Sequence, residues 1–189
     1  MSKIIPFSRY FQKVHPKSGQ PTYFVEKLWK GLIQLKPDIS EFDTEILKLN
    51  ILPVIGYKNI QQFQQRLFMI EPKFHTIRAG NRWKVGDKFS PRVWSGKPYC
   101  SKQIIIAPDI EIKKIFDIEL INSVNSNITG HDRGYWCKVD DVVISELWFN
   151  ELVKNDGLNW IDFIDWFNLK DNEIFKGQII CWNQNVQYL

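Results

Sequence analysis

Cysteine is scarce in this chain of 189 residues: Cys100, Cys137 and Cys181 stand far apart, with no Cys-x-x-Cys pair. Three thiols cannot all pair, so a disulfide framework is not expected and a reducing compartment fits. Histidine is equally scarce, and His15, His75 and His131 lack the spacing of a zinc site. No cofactor or metal is expected. No apolar run approaches the ~18 residues of a membrane span. The opening residues MSKIIPFSRYFQKVHPKSG have neither the apolar stretch nor the small-residue cleavage site of a secretory signal. A soluble, cytoplasmic protein without a membrane partner is the expectation. Internal repeats and low-complexity tracts are missing too.

Acidic residues are almost absent from one segment. Residues 73–102 carry Lys73, Arg78, Arg82, Lys84, Lys88, Arg92, Lys97 and Lys102 against Asp87 alone. That segment is +7, while the rest of the chain is −3. A local basic field in a near-neutral chain points to an anionic partner at one place. Aromatic residues are plentiful, 14% of the chain with eight tryptophans. Most belong to the core, but Trp83, Trp94 and Tyr99 interleave with the basic residues, as stacking faces for bases would. Arg78, Arg82, Trp83, Lys84, Trp94, Lys97 and Tyr99 are therefore the expected ligand-binding set, with RNA or a nucleoside as the partner.

The patterning predicts one domain over residues 1–189. Residues 3–7 read as a strand, and Thr22 as the cap of a helix with Phe24, Leu28, Leu32 and Leu35 inward, stopped by Pro37. Residues 38–72, with apolar Ile46, Leu49, Phe63, Leu67 and Ile70, read as a helical insertion too short for its own core. Strands follow at KFHTIR, DKFSPRVWS, SKQIIIA, IKKIFDIELINSV and YWCKV, with a turn at Val85–Asp87 and a polar loop from Asn125 to Gly134. Pro91 is expected near an edge or bulge. Asp140 or Asp141 is expected to cap a helix with Ile144, Leu147, Trp148 and Leu152 inward, closed at NDGL by a left-handed glycine. Asn159 should cap the next, with Asp162 reciprocating and Trp160, Phe163, Ile164 and Phe167 in the core. FKGQIICWN is the last strand. Strands of this length around a short helical layer predict an α+β fold, a small and mostly antiparallel barrel with flanking helices.

With Lys73, Thr76, Ile77, Arg78, Gly86 and Asp87 in this order, and NDGLNWIDFIDWF downstream, the chain resembles the ASCH family of the PUA-like superfamily. HPKSGQPTYFVEK, HTIR and WSGKPY are similar to stretches of bacterial and prophage proteins of that group. The resemblance covers about two thirds of the chain and omits 38–72. It implies a PUA-like barrel with a cleft beside the first helix, and RNA binding. In one branch it implies hydrolysis of the acetyl group of N(4)-acetylcytidine, with Lys73, Thr76 and Asp156 at the catalytic positions. Asp156 is one methylene shorter than the glutamate of that branch.

Such a hydrolase needs a nucleophile, a base to activate it and an acid for the leaving amine. Lysine serves as base only when neutral, which burial or nearby cations promote. In a regular strand residues 73 and 76 would face opposite sides, so Lys73 must precede the strand, which would begin near His75. Three functions remain open: a binder of RNA or a modified nucleoside, an amidohydrolase acting on an acylated nucleobase amine, and an assembly module of a mobile element, which would show an exposed apolar patch.

Overall fold

The computed structural model describes residues 2–35, 51–123 and 134–189. The first strand, β1 (Lys3–Pro6), leads through a long loop to α1 (Phe24–Leu35). Thr22 starts this helix: its Oγ1 accepts from Phe24 N at 3.3 Å and donates to Ser8 O at 2.6 Å. Phe24, Val25, Leu28, Trp29 and Leu32 form the buried stripe.

The described part of the insertion is helical, as its pattern predicts: α2 (Leu52–Ile55) and α3 (Ile60–Met69). It shares the main core, into which Ile51, Leu52 and Phe63 are buried, and Tyr57 Oη donates to Glu26 of α1 at 3.0 Å. Ile46 and Leu49 lie outside the described residues.

Then come β2 (His75–Ala79), β3 (Lys88–Trp94), β4 (Gln103–Ile105), β5 (Ile110–Glu111), β6 (Lys114–Ser123), β7 (Gly134–Val139) and β8 (Val142–Val143). Two helices, α4 (Glu146–Asn155) and α5 (Trp160–Phe167), precede β9 (Ile174–Cys181). One sheet has the order β1-β3-β4, with β5 also on β3; the other runs β2-β9-β6-β7-β8. All pairings are antiparallel except β1 with β3. The fold is thus α+β, but neither sheet closes into the expected barrel. β4, β5 and β8 are two or three residues long, too short to extend a ladder from one sheet to the other. The sheets meet instead through one apolar core, where Phe89 of β3 lies 6.0 Å from Trp182.

Two further expectations change. Pro91 lies in a central strand, not at an edge. Its carbonyl accepts from Ile106 N, so the position where its N–H is missing faces the same way. There the neighbour changes from β4, paired with Arg92 to Trp94, to β5, paired with Lys88 and Phe89, and Pro91 falls in the gap. Asp140 and Asp141 do not cap α4. They turn β7 into β8 at φ 47° and 65°, a left-handed geometry aspartate tolerates, and Ser145 caps the helix through Trp148 N. Leu147 is consequently exposed, while Phe149, Leu152 and Val153 face inward. The α5 cap is as read: Asn159 Oδ1 accepts from Asp162 N at 2.9 Å, and its amide donates to Asp162 Oδ2 at 2.8 Å. Of its stripe, Phe163 is fully buried, while Trp160 is 38% exposed and packs edge to face on Phe149.

Candidate functional site

Lys73 precedes β2 and is held by backbone. Its N–H donates to Lys27 O of α1 and Phe74 N–H donates to Asn155 O of α4, both at 2.9 Å. Gly31 makes this approach possible: a Cβ there would lie 2.3 Å from Lys73 O. We expect Gly31→Ala to push Lys73 away from α1 and to destabilise the fold by about 3 kcal/mol, read as a lower urea midpoint at unchanged slope.

The α4 terminus supplies the other half of the site. Gly157, at φ 78°, ends the helix in the left-handed conformation and turns Asp156 inward. Lys73 Nζ reaches Asp156 Oδ1 at 2.5 Å and also donates to the Asp156 carbonyl. Lys27 Nζ donates to Gly157 O at 2.5 Å, fastening the same turn to α1. Lys73 is 1% exposed and Asp156 5%, so the pair is an ion pair withdrawn from water. Burial pulls the lysine down to about 8, against the opposing pull of Asp156. Burial likewise pushes the Asp156 carboxyl up, opposed by Lys73, Arg78 and Lys27.

Because β2 starts at His75, Lys73 escapes the strand alternation, and Lys73, Thr76 and Asp156 line one cavity of about 470 Å³. The Thr76 hydroxyl has no hydrogen-bond partner among the described residues, although the residue is 3% exposed. Arg78, on the same strand face, donates to Pro6 O at 2.9 Å and to Ile77 O at 3.3 Å. Burial lowers its pKa, against Asp156. Phe24 of α1 and Trp166 and Phe167 of α5 contribute one set of rings, with Phe24 and Trp166 edge to face at 5.4 Å. Trp94 and Tyr99, from the β3–β4 hairpin, contribute another, their centroids 5.4 Å apart. A larger cavity, about 570 Å³ between α1 and the turn after β9, holds none of the expected site residues.

Arg78, Arg82, Trp94 and Tyr99 therefore reach the cleft beside the three central residues. Trp83, Lys84 and Lys97 do not line it. Trp83 is 2% exposed and packs edge to face on Phe89 at 6.3 Å; it is a core ring with Lys3 and Arg82 over it. Lys84 is exposed on the turn closed by Asp87, and Lys97 on the hairpin tip. His75 is buried and does not line the cleft, its side chain facing away from Thr76 as strand alternation implies. The HPKSG loop packs on α5, through a 2.8 Å ion pair from Lys17 to Asp162. His131 lies outside the described residues. Trp166, Phe167 and Gln12 enter the cleft without a sequence signal: an aromatic at helical spacing reads as core, and these are its rim.

The chemistry available is that of a buried ammonium–carboxylate pair, an unengaged hydroxyl and a guanidinium, beside aromatic rings. Among the described residues no cluster of histidine, cysteine and acid groups is suited to a metal ion, and no helix is long and apolar enough to cross a membrane. No family model matches the chain, and no curated protein or solved structure matches it either.

Proposed function

We propose that this protein hydrolyses an acyl group from the exocyclic amine of a nucleobase, with Thr76 as nucleophile and Lys73 and Asp156 as the proton-handling pair. The observation carrying this reading is the 2.5 Å Lys73–Asp156 contact in the cavity that Thr76 also lines. Asp156, 83 positions from Lys73 in sequence, meets Lys73 and Thr76 at one place, and the resemblance to the ASCH branch assigns these same positions. We read the two sheets accordingly as a PUA-like arrangement left open, and the cytoplasm as its compartment.

The step balances as follows. Neutral Lys73 takes the Thr76 proton as Oγ1 bonds to the acyl carbon. The proton goes to the exocyclic nitrogen as the C–N bond breaks, releasing the free amine. Water then hydrolyses the acyl-threonine ester, and a carboxylic acid leaves. Asp156 orients the lysine and balances its charge when protonated, and Arg78 places positive charge on the face where the oxyanion develops. The rings of Trp94, Tyr99 and Trp166 hold the base.

With Lys73 at about 8, roughly one molecule in ten carries the neutral amine at pH 7. Turnover of N(4)-acetylcytidine should therefore rise about tenfold from pH 7 to a plateau above pH 9, followed as acetate released. A flat profile, or no acetate at any pH, sinks the reading.

A second reading, binding without chemistry, is favoured by the engagement of Lys73 Nζ with both the carbonyl and carboxylate of Asp156. Retention of intact acetylated nucleoside at a saturable site, without acetate release, selects it. Phe68 and Met69 at the end of α3 are exposed, as the assembly reading expects of the insertion.

A further inference from the structure

His75 stands immediately behind the site. It is fully buried, its Nδ1 lies 2.6 Å from Tyr188 Oη, and its Nε2 lies 3.6 Å from Asp156 Oδ1. Nε2 has no hydrogen-bond partner, an uncommon condition for a buried ring nitrogen. Tyr188 bears on which nitrogen carries the proton. Asn155 Nδ2 donates to Tyr188 Oη at 3.3 Å, and Nδ1 is the acceptor the phenol proton can reach. With the phenol donating, the neutral imidazole carries its hydrogen on Nε2, facing the carboxylate. Burial and the Lys73 charge both disfavour the imidazolium, which keeps the ring neutral.

We propose that His75 is a positioning residue that holds Asp156 as a carboxylate, through an Nε2–H fixed by Tyr188. The need arises when Lys73 is neutral. Asp156 then loses its nearest counter-charge, and a buried carboxylate so placed tends to take up a proton itself. A small approach across the 3.6 Å gap turns the orphaned N–H into a charge-assisted bond and keeps the proton off Asp156. The remaining charges on the pair are Arg78 from β2 and Lys27 from α1. Tyr188, beyond β9, thereby acts through His75 on the proton balance of a pair formed just before β2 and at the end of α4.

The kinetic arm of the test rests on the hydrolytic reading; the titration arm does not. Lys73 is followed by the pH dependence of its ¹³Cε resonance, and His75 by its ¹⁵N resonances. In the unaltered protein the imidazole is neutral with the proton on Nε2; a proton on Nδ1, or an imidazolium at pH 7, overturns the inference. In His75→Leu the Lys73 midpoint moves up by about one pH unit, because the deprotonated pair has lost its donor. His75→Gln, which keeps an N–H near the Nε2 position, restores the midpoint, and Tyr188→Phe moves it part of the way. Equal midpoints in Tyr188→Phe, His75→Gln and the unaltered protein, with His75→Leu equal or unfolded, also overturn it. Where acetylcytidine is turned over, the rising limb of kcat shifts with the Lys73 midpoint while the high-pH plateau holds; a lowered plateau with an unmoved limb is the signature of a merely structural role. A protein that releases no acetate defeats the hydrolytic reading, and the titration arm still decides the role of His75.

Discussion

Thr76→Ala should lower kcat for N(4)-acetylcytidine at least about a thousandfold, close to 4 kcal/mol of transition-state stabilisation, while changing the affinity for the nucleoside by less than about threefold. The asymmetry comes from the geometry. The rings proposed to stack on the base, Trp94, Tyr99 and Trp166, and the cations Arg78 and Arg82 lie elsewhere on the cleft wall. Thr76 contributes a hydroxyl that bonds to nothing described, so its loss disturbs little in the ground state. Alanine also removes the buried γ-methyl and the β-branch, a packing loss of about 1 kcal/mol, so Thr76→Val, which keeps that shape without the hydroxyl, should lose the rate equally. Thr76→Ser keeps the nucleophile and should retain most of the rate. Acetate release under saturating substrate separates kcat from KM, and equilibrium dialysis at low temperature gives the affinity. If alanine and serine variants turn over alike, Thr76 is no nucleophile and direct attack by water is the remaining chemistry.

What was legible in the sequence was local. The His-Thr-Ile-Arg run placed Thr76 with Arg78 on one face, while Lys73 read as the first strand residue and stood before the strand only if the catalytic pair was to form; the acid–glycine turn of NDGL placed Asp156 at a helix end with a left-handed stop. Each signal spans a few residues, and a resemblance joined them. What failed depends on distant partners. Trp83 sits among basic residues and looked like a stacking surface, but its ring is buried against Phe89, a fact of packing that neighbouring charges do not encode. Lys84 and Lys97 add to the charge count yet stand on turns away from the cavity. Asp140 and Asp141 have the composition of a helix cap and of a hairpin turn alike, and the two-residue strand after them is too short to announce itself. Barrel closure is the least local property of all, since it rests on whether β4, β5 and β8 continue far enough to pair. His75 and Tyr188, 113 positions apart, carried no hint of each other.

The largest effect on stability should come from dividing the buried pair. Asp156→Leu leaves the Lys73 ammonium without its carboxylate in a site 1% exposed, a loss of about 3–5 kcal/mol. Lys73→Met leaves the carboxylate stranded and should cost a similar amount. The double variant Lys73→Met/Asp156→Leu removes both charges and fills the space with apolar groups of comparable size, so its stability should return to within about 1 kcal/mol of the unaltered protein or exceed it. The shape of stability against pH gives an independent check. The folded Lys73 titrates at about 8, below its ordinary 10.5. Between those values the unfolded chain holds a proton that the native state has released, so stability rises with pH, by up to about 1.4 kcal/mol per unit. Asp156 is pushed up from 3.8. Above 3.8 and below its folded value the native state holds the extra proton, so stability falls as pH rises there. Glu26 is pushed up and Lys27 pulled down by burial as well, so both limbs should shrink in the double variant to the part those groups supply, while Asp156→Leu keeps an alkaline rise that begins at lower pH, because its lysine has lost the charge that held the proton. Urea unfolding from pH 4 to 10.5 measures all four proteins. A double variant as weak as either single would show that this pair stabilises the fold by more than burying two charges costs, and would make it a structural clasp at the end of α4.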